Sequence, residues 1–251
     1  MRMIGNMKMR TLMGIVVLTA ILAMPGIVLS GYKHKKCFTD PFTDSFVLDK
    51  CNGFSSTGSN PFFILEPGYQ LVLEGTEDDE EIKLTITVLD ETMDITTDET
   101  GAVTTRIVEE RETINGELYE VSRNFFAICN RDNSVFYFGE DVDFYENGVI
   151  VGHDGAWRAG VNGARAGIMM PGTILLGSRY YQETAPGVAM DRAEILSMKK
   201  CVETPAGEFE NCLKIKETTP LEPKAKGFKF HAPGVGLIKD GVLELTEINN
   251  L

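Results

Sequence analysis

The sequence predicts a mainly β protein, an antiparallel meander that forms a curved open sheet or a barrel and contains few helices. Apolar and polar residues alternate along many short segments, as they do in strands with one buried and one solvated face. Turn dipeptides such as Asn115-Gly116 and Asn147-Gly148 separate these segments. Because such pairs favour two-residue hairpin turns, consecutive segments are expected to pair in antiparallel fashion.

The period of two begins near Phe62 and is clearest in residues 82–88, where isoleucine, leucine and valine alternate with lysine and threonine. Asn115-Gly116 then separates two longer strands, and a turn at Asp240-Gly241 is expected inside the last strand. In chain order the predicted strands are residues 82–88, 103–112, 118–129, 135–138, 143–146, 149–151, 178–182, 193–199, 209–216, 227–231 and 236–247.

The chain is expected to consist of a signal peptide at 1–30, an extended leader at 31–60 and a single β-rich domain at 61–251. Two basic residues precede an uncharged run that ends near Ser30, the pattern of a secretory signal peptide. Cleavage would leave a periplasmic or secreted protein with no direct insertion in the membrane. The alternative is an uncleaved anchor, because about 18 apolar residues approach the minimum for a spanning helix.

Composition narrows the choice of partners. The formal net charge is −13, and the predicted loss of Arg2, Lys8 and Arg10 would make the remainder more negative still. Such a charge repels nucleic acid and anionic lipid, so neither is an expected partner. A hydrophobic content of 43% excludes general disorder.

The five cysteines predict an oxidising compartment. A hairpin centred near Ala206-Gly207 would place Cys201 opposite Cys212, so a disulfide is expected there. Cys37 and Cys51 are expected to form a second bridge. Cys129 would then remain as a buried, unreactive thiol, because its apolar surroundings do not favour a thiolate.

A glycine-rich segment between Gly152 and Gly187 contains the only tryptophan and a pair of methionines. Long loops of this kind are often functional, and tryptophan and methionine make adaptable apolar contacts. We expect a ligand-binding loop with an apolar lining and an arginine for an anionic head group. The candidate residues are Trp157, Arg158, Arg165, Met169 and Met170. The alternative is that the tryptophan and methionines only plug one end of the sheet.

The sequence predicts no catalytic residue, metal ligand or cofactor. It contains no nucleophile elbow, no phosphate-binding loop and no His-Glu-x-x-His motif. The three histidines, His34, His153 and His231, are far apart along the chain. A pair of catalytic carboxylates remains open, since such pairs need not be close in sequence.

Three motifs resemble uncharacterised families of secreted bacterial β-rich proteins and lipoproteins. They read NPFFILEPG at 60–68, VETPAGEFENCLKI at 202–215 and HAPGVGLIK at 231–239. The resemblance implies a curved antiparallel sheet like that of envelope carrier proteins, and it implies no catalytic residues.

The leading functional hypothesis is an extracytoplasmic, non-enzymatic protein that binds an apolar or amphiphilic small molecule in its curved sheet. One alternative is a structural protein of the cell envelope that binds another protein. The other is a hydrolase with a dispersed carboxylate site.

Overall fold

A computed structural model describes residues 40–251, so the predicted signal peptide and Cys37 lie outside the described residues. This part of the chain consists of antiparallel strands and one short 3-10 helix, Leu48–Lys50. In chain order the strands are β1 (Phe54–Ser55), β2 (Ser59–Asn60), β3 (Phe63–Ile64), β4 (Tyr69–Glu77), β5 (Glu80–Thr97), β6 (Gly101–Ile114), β7 (Glu117–Cys129), β8 (Val135–Glu146), β9 (Val149–Gly152), β10 (Trp157–Arg158), β11 (Arg165–Met170), β12 (Arg179–Tyr181), β13 (Glu183–Thr184), β14 (Arg192–Thr204), β15 (Gly207–Thr218), β16 (Gly227–Ala232), β17 (Gly236–Asp240) and β18 (Leu243–Asn250).

One large sheet dominates the fold and is nearly closed into a barrel with a single seam. Its strand order is β12-β14-β15-β16-β17-β18-β4-β5-β6-β7-β8-β11-β13, while β1, β9 and β10 pair at its margin and β2 and β3 form a separate ribbon. Most neighbours in this order are also neighbours in sequence. The predicted antiparallel meander is therefore confirmed.

The seam lies at a single residue, Gln182. The two strands at the ends of the sheet, β12 and β13, are consecutive in the chain and are separated by this residue alone. Tyr180 pairs with Ala193 on one side, and Glu183 pairs with Ala166 on the other. One extended segment thus joins both ends of the sheet, which leaves little exposed edge.

The predicted turns explain much of the meander. Ile114 pairs with Glu117, so Asn115 and Gly116 form a two-residue turn, with φ of 50° and 82°. Asparagine and glycine adopt positive φ at low cost, which is why this pair sets the hairpin register. The strands predicted at 135–138 and 143–146 are one continuous strand, β8.

The N-terminal described residues pack against the outer face of β8. Phe46 and Phe54 contact Phe136 edge to face, with ring centroids 6.0 and 5.9 Å apart. Phe54 also contacts Phe138 at 5.4 Å. Tyr137, between these two phenylalanines, faces the barrel interior, as the alternation along a strand requires.

A disulfide joins Cys51 to Cys129, with their Cα atoms 4.9 Å apart. The predicted pairing of Cys37 with Cys51 is therefore wrong, and Cys129 is not a free thiol. The physical reason is the pairing of β1 with β7, which aligns Phe54 with Cys129 and brings the preceding turn against the end of β7.

The predicted bridge between Cys201 and Cys212 is also wrong, because both are free thiols. Thr204 pairs with Gly207, so the turn consists of Pro205 and Ala206 and lies one residue before the predicted centre. A bulge between Lys200 and Val202 shifts the register further along the hairpin, so Lys200, not Cys201, lies opposite Cys212. Adjacent strand residues face opposite ways, so Cys201 is exposed while Cys212 is buried.

Candidate functional site

A cavity of about 520 Å³ lies inside the barrel. Its lining residues come from strands around the barrel and from the segments that precede β14 and β16. Val188, Leu221 and Lys226 line it and are exposed, so these residues mark its mouth. A volume of this size lies within the range of sites for small organic molecules.

One wall of the cavity is apolar. It is formed by inward-facing positions of β4 to β7, which alternate with polar residues on the outer face. Phe63 from β3 and Met169 from β11 extend this surface. The apolar residues contributed by β4 to β7 are Tyr69, Leu71, Ile86, Val88, Val108 and Phe126.

A second part of the lining, the acidic wall, consists of carboxylate residues. Apart from Glu222 near the mouth, carboxyl groups reach the cavity from β6, β8, β13, β15 and the residue before β14. These residues are Glu110, Glu140, Glu183, Glu217 and Asp191. Carboxylates are seldom buried without a partner, because leaving water costs the charged form several kcal/mol. Their grouping therefore distinguishes this cavity from an ordinary packing defect.

A bulge in β8 aims two of its polar side chains at the cavity. Phe125 pairs with Gly139 while Phe126 pairs with Tyr137, so β8 carries one extra residue. Side chains three positions apart, Tyr137 and Glu140, can then face the same side.

Lys229 is the basic residue deep in this cavity, and it is already neutralised. Its Nζ lies 3.2 Å from a Glu217 oxygen and 3.4 Å from an Asp240 oxygen. Burial alone would lower the pKa of Lys229, but the charges of Asp240, Glu217 and Glu110 raise it well above its usual value. The other oxygen of Glu217 accepts a hydrogen bond from Gln182 Nε2 at 3.0 Å.

The remaining carboxyl groups resist ionisation. Burial, and then the charges of Glu110 and Glu120, raise the pKa of Glu140 to about 8. Burial raises the pKa of Glu110 as well. Burial and the neighbouring Asp191 raise the pKa of Glu183 well above its usual value, although Glu183 accepts a 2.5 Å hydrogen bond from the Asp191 amide. Part of this wall is therefore protonated near neutral pH.

Two residues of the lining each contain a buried nitrogen atom with no hydrogen-bond partner within the described part of the chain. These atoms are Nε1 of Trp157 and Nδ1 of His231, whose residues are only 6% and 8% exposed. Burial, and then the charge of Lys229, lower the pKa of His231 to about 3, so its imidazole is neutral. An unpaired buried polar group costs about 1–3 kcal/mol, and both residues line the cavity.

The structure brings only some of the sequence-predicted site residues to the cavity. Trp157 lies opposite Glu140 in the pairing of β10 with β8, and both line the cavity together with Met169. Trp157 also packs edge to face against Tyr137, with ring centroids 5.1 Å apart. Met170 is 1% exposed and lies in the apolar core, because its side chain faces away from that of Met169.

The predicted arginines are not part of the cavity lining. Arg158 follows Trp157 and so faces the other side of the strand, where its guanidinium lies 4.1 Å from the centre of the Phe125 ring. It also binds Asp141 at 2.8 Å. Arg165 is exposed. The cavity therefore does not contain the arginine site that was predicted for an anionic head group.

Sequence reasoning missed the acidic wall. Glu109 and Glu110 are adjacent in β6, and the charge pattern alone does not indicate which of them faces inward. The register supplies the missing information, because Glu110 pairs with Ile86 on β5, and Ile86 belongs to the alternating apolar face of that strand.

Comparisons with known proteins add little. No protein-family model and no curated protein matches the chain. A crystal structure described as a "putative lipoprotein" from Parabacteroides distasonis is similar at 16% identity, with a TM-score of 0.33, over 76% of this chain and 100% of that one. A TM-score this low carries no argument about this chain.

Between residues 40 and 251, no helix is long and apolar enough to cross a membrane. The same range contains no group of three or more histidine, cysteine, aspartate or glutamate side chains arranged to hold a metal ion.

Proposed function

We propose that the protein is an extracytoplasmic, non-enzymatic binding protein that holds an apolar or amphiphilic small molecule in its barrel cavity. The observation that carries the proposal is a cavity of about 520 Å³ whose lining includes the unpaired Trp157 Nε1. A ligand with an apolar body would fill the cavity, and a hydrogen-bond acceptor on that ligand would pair with Trp157 Nε1.

The disulfide between Cys51 and Cys129 supports the location. Disulfides persist in oxidising compartments such as the periplasm and the extracellular space. Together with the basic and apolar pattern of residues 1–30, it favours an exported protein. The resemblance of three motifs to secreted families is consistent with this proposal.

An apolar, uncharged dye that absorbs where indole emits tests the binding function, with N-phenyl-1-naphthylamine as the probe. Trp157 is the only tryptophan, so energy transfer from it reports a dye bound nearby. We expect saturable binding, weakened about threefold or more by Met169→Ala through the loss of apolar contact. Met198→Ala serves as the control, since Met198 is exposed. Absence of saturable binding, or equal affinity in both variants, would contradict the proposal.

A hydrolase is the second candidate, because the cavity contains a carboxyl group suited to general acid catalysis. Glu140 has its pKa raised to about 8, so it would hold a proton near neutral pH and could donate it to a leaving group. This alternative predicts turnover of a glycoside or ester that Glu140→Gln abolishes. Unchanged turnover in that variant would remove Glu140 from any such reaction.

A further inference from the structure

The charges around the cavity do not balance. Lys229 is shared by Glu217 and Asp240, so that group of three already carries one excess negative charge. The other carboxyl groups form no ion pair with any residue in the range 40–251; they are Glu110, Glu140, Glu183 and Asp191. The charge of Lys229 favours ionised Glu110 and Asp191, but burial outweighs it and their pKa values stay raised. In a low-dielectric interior, a positive charge on a ligand would stabilise the ionised forms further.

The same cavity presents surfaces that suit the rest of an organic cation. Phe126, Tyr137 and Trp157 line the cavity, and the faces of aromatic rings attract ammonium groups through their quadrupole. The neutral imidazole of His231 has an unpaired Nδ1, which accepts an N–H bond when the ring proton is on Nε2. The unpaired Trp157 Nε1 donates to an oxygen elsewhere on the ligand.

We propose that the cavity selects a protonated organic amine, with its ammonium group against the acidic wall and its apolar body against β4 to β7. This inference rests on the proposed binding function and specifies the class of ligand. It replaces the anionic head group that the sequence suggested, because Arg158 and Arg165 are absent from the lining. An anionic ligand would be repelled by this wall, while a neutral one would gain no attraction from its ionised carboxylates.

Binding of an amine should release protons. Glu140 is surrounded by Tyr137 on its own strand, Glu110 on β6, Glu120 on β7 and Asp191 before β14, all of them neutral or negative. An ammonium group placed among them favours the ionised carboxylate, so protons compete with the amine for the site. The affinity for an amine should therefore rise with pH until these carboxyl groups are ionised.

Three probes with the same chain length test the inference: octylamine, octanol and octanoate, each titrated against wild-type protein by the quenching of Trp157 fluorescence. We expect octylamine to bind about tenfold more tightly than octanol, and octanoate more weakly than both. The preference for octylamine should increase between about pH 6 and about pH 8. It should persist in about 0.5 M salt, which screens attraction to the acidic outer surface.

Isosteric variants test whether the acidic wall causes the preference for octylamine. Glu140→Gln and Glu183→Gln should each weaken octylamine binding about three- to tenfold and leave octanol binding unchanged. The matched control is Glu208→Gln, since Glu208 is exposed on the β14–β15 hairpin. Equal affinity for octylamine and octanol would overturn the amine inference and leave the binding function standing. Failure of all three probes and of the uncharged dye would overturn both.

Discussion

Single residues explain why this cavity is polarised. Trp157 and Glu140 lie opposite each other on β10 and β8 and both face inward. Arg158, one position further, cannot share that orientation and instead packs on Phe125. The orientation of these two adjacent side chains thus adds an indole to the lining and keeps a guanidinium out of it.

Glu112 provides a residue-scale prediction about pH. It is 6% exposed and pairs with Glu120 across β6 and β7. Burial, and then the charges of Glu120 and Glu110, raise the pKa of Glu112 to about 8 from 4.5. The native state therefore binds a proton that the unfolded chain releases above about pH 4.5. We expect the free energy of unfolding to fall as the pH rises from 4.5 to about 8.

Thermal melts of wild-type protein and Glu112→Gln at a series of pH values measure this effect. The variant should lose a substantial part of the slope and be more stable than wild type at about pH 8, because its amide cannot ionise. Glu208→Gln, at an exposed position, should keep the wild-type slope. A variant slope as steep as that of wild type would contradict the assignment.

At the scale of residues, the sequence did not show which of two adjacent side chains in a strand faces inward. Trp157 and Met169 could be selected from their chemistry, but their neighbours Arg158 and Met170 could not be rejected without knowing the strand register. The cysteine pairing failed for the same reason. A turn one residue earlier than predicted, together with a bulge between Lys200 and Val202, placed Lys200 instead of Cys201 opposite Cys212.

At the level of elements, the β6–β7 and β8–β9 hairpins were predictable because asparagine-glycine pairs specify their turns locally. The strands predicted at 82–88 and 118–129 lie within β5 and β7. Of the short strands β10 to β13, only β12 was predicted, within residues 178–182, since the rest of the glycine-rich segment that contains them has no alternating pattern. Pairing with β8 and β14, rather than local propensity, makes those residues extended.

The contact between β11 and the closing segment depends on Gly167. A Cβ atom at this position would lie 2.5 Å from the carbonyl oxygens of Tyr181 and Gln182. We expect Gly167→Ala to force the two backbones apart and to lower the free energy of unfolding by about 1–3 kcal/mol. Chemical denaturation measures the loss. Gly152→Ala is the control, because a Cβ there meets nothing within 4 Å, and an equal loss in both variants would contradict the close approach.

The disulfide provides a second prediction at this scale. It closes a loop of 78 residues, for which the chain-entropy model gives a stabilisation of roughly 4–5 kcal/mol. Replacing Cys51 and Cys129 together by serine should lower the free energy of unfolding by about 2–5 kcal/mol. Cys201→Ser, at an exposed free thiol, should change it little. Peptide mapping without reduction should recover residues 51 and 129 linked, and recovery of a 201–212 link would contradict the pairing.

At the scale of the whole molecule, the fold class followed from sequence but the closure did not. Alternation and turn spacing predicted a curved antiparallel sheet and left open whether it was a barrel. Closure depends on one segment, residues 179–184, pairing with β14 by its first half and with β11 by its second. Such long-range pairing leaves no local sequence signal, and the internal cavity follows from it.

The most direct test of a ligand-binding barrel is native mass spectrometry of the protein purified from its own host, followed by denaturing extraction. We expect a complex whose excess mass matches one small molecule, recovered in the extract as an organic amine with an apolar body. Purified protein that contains no small molecule and is bound to a second polypeptide would contradict this conclusion and favour a structural role.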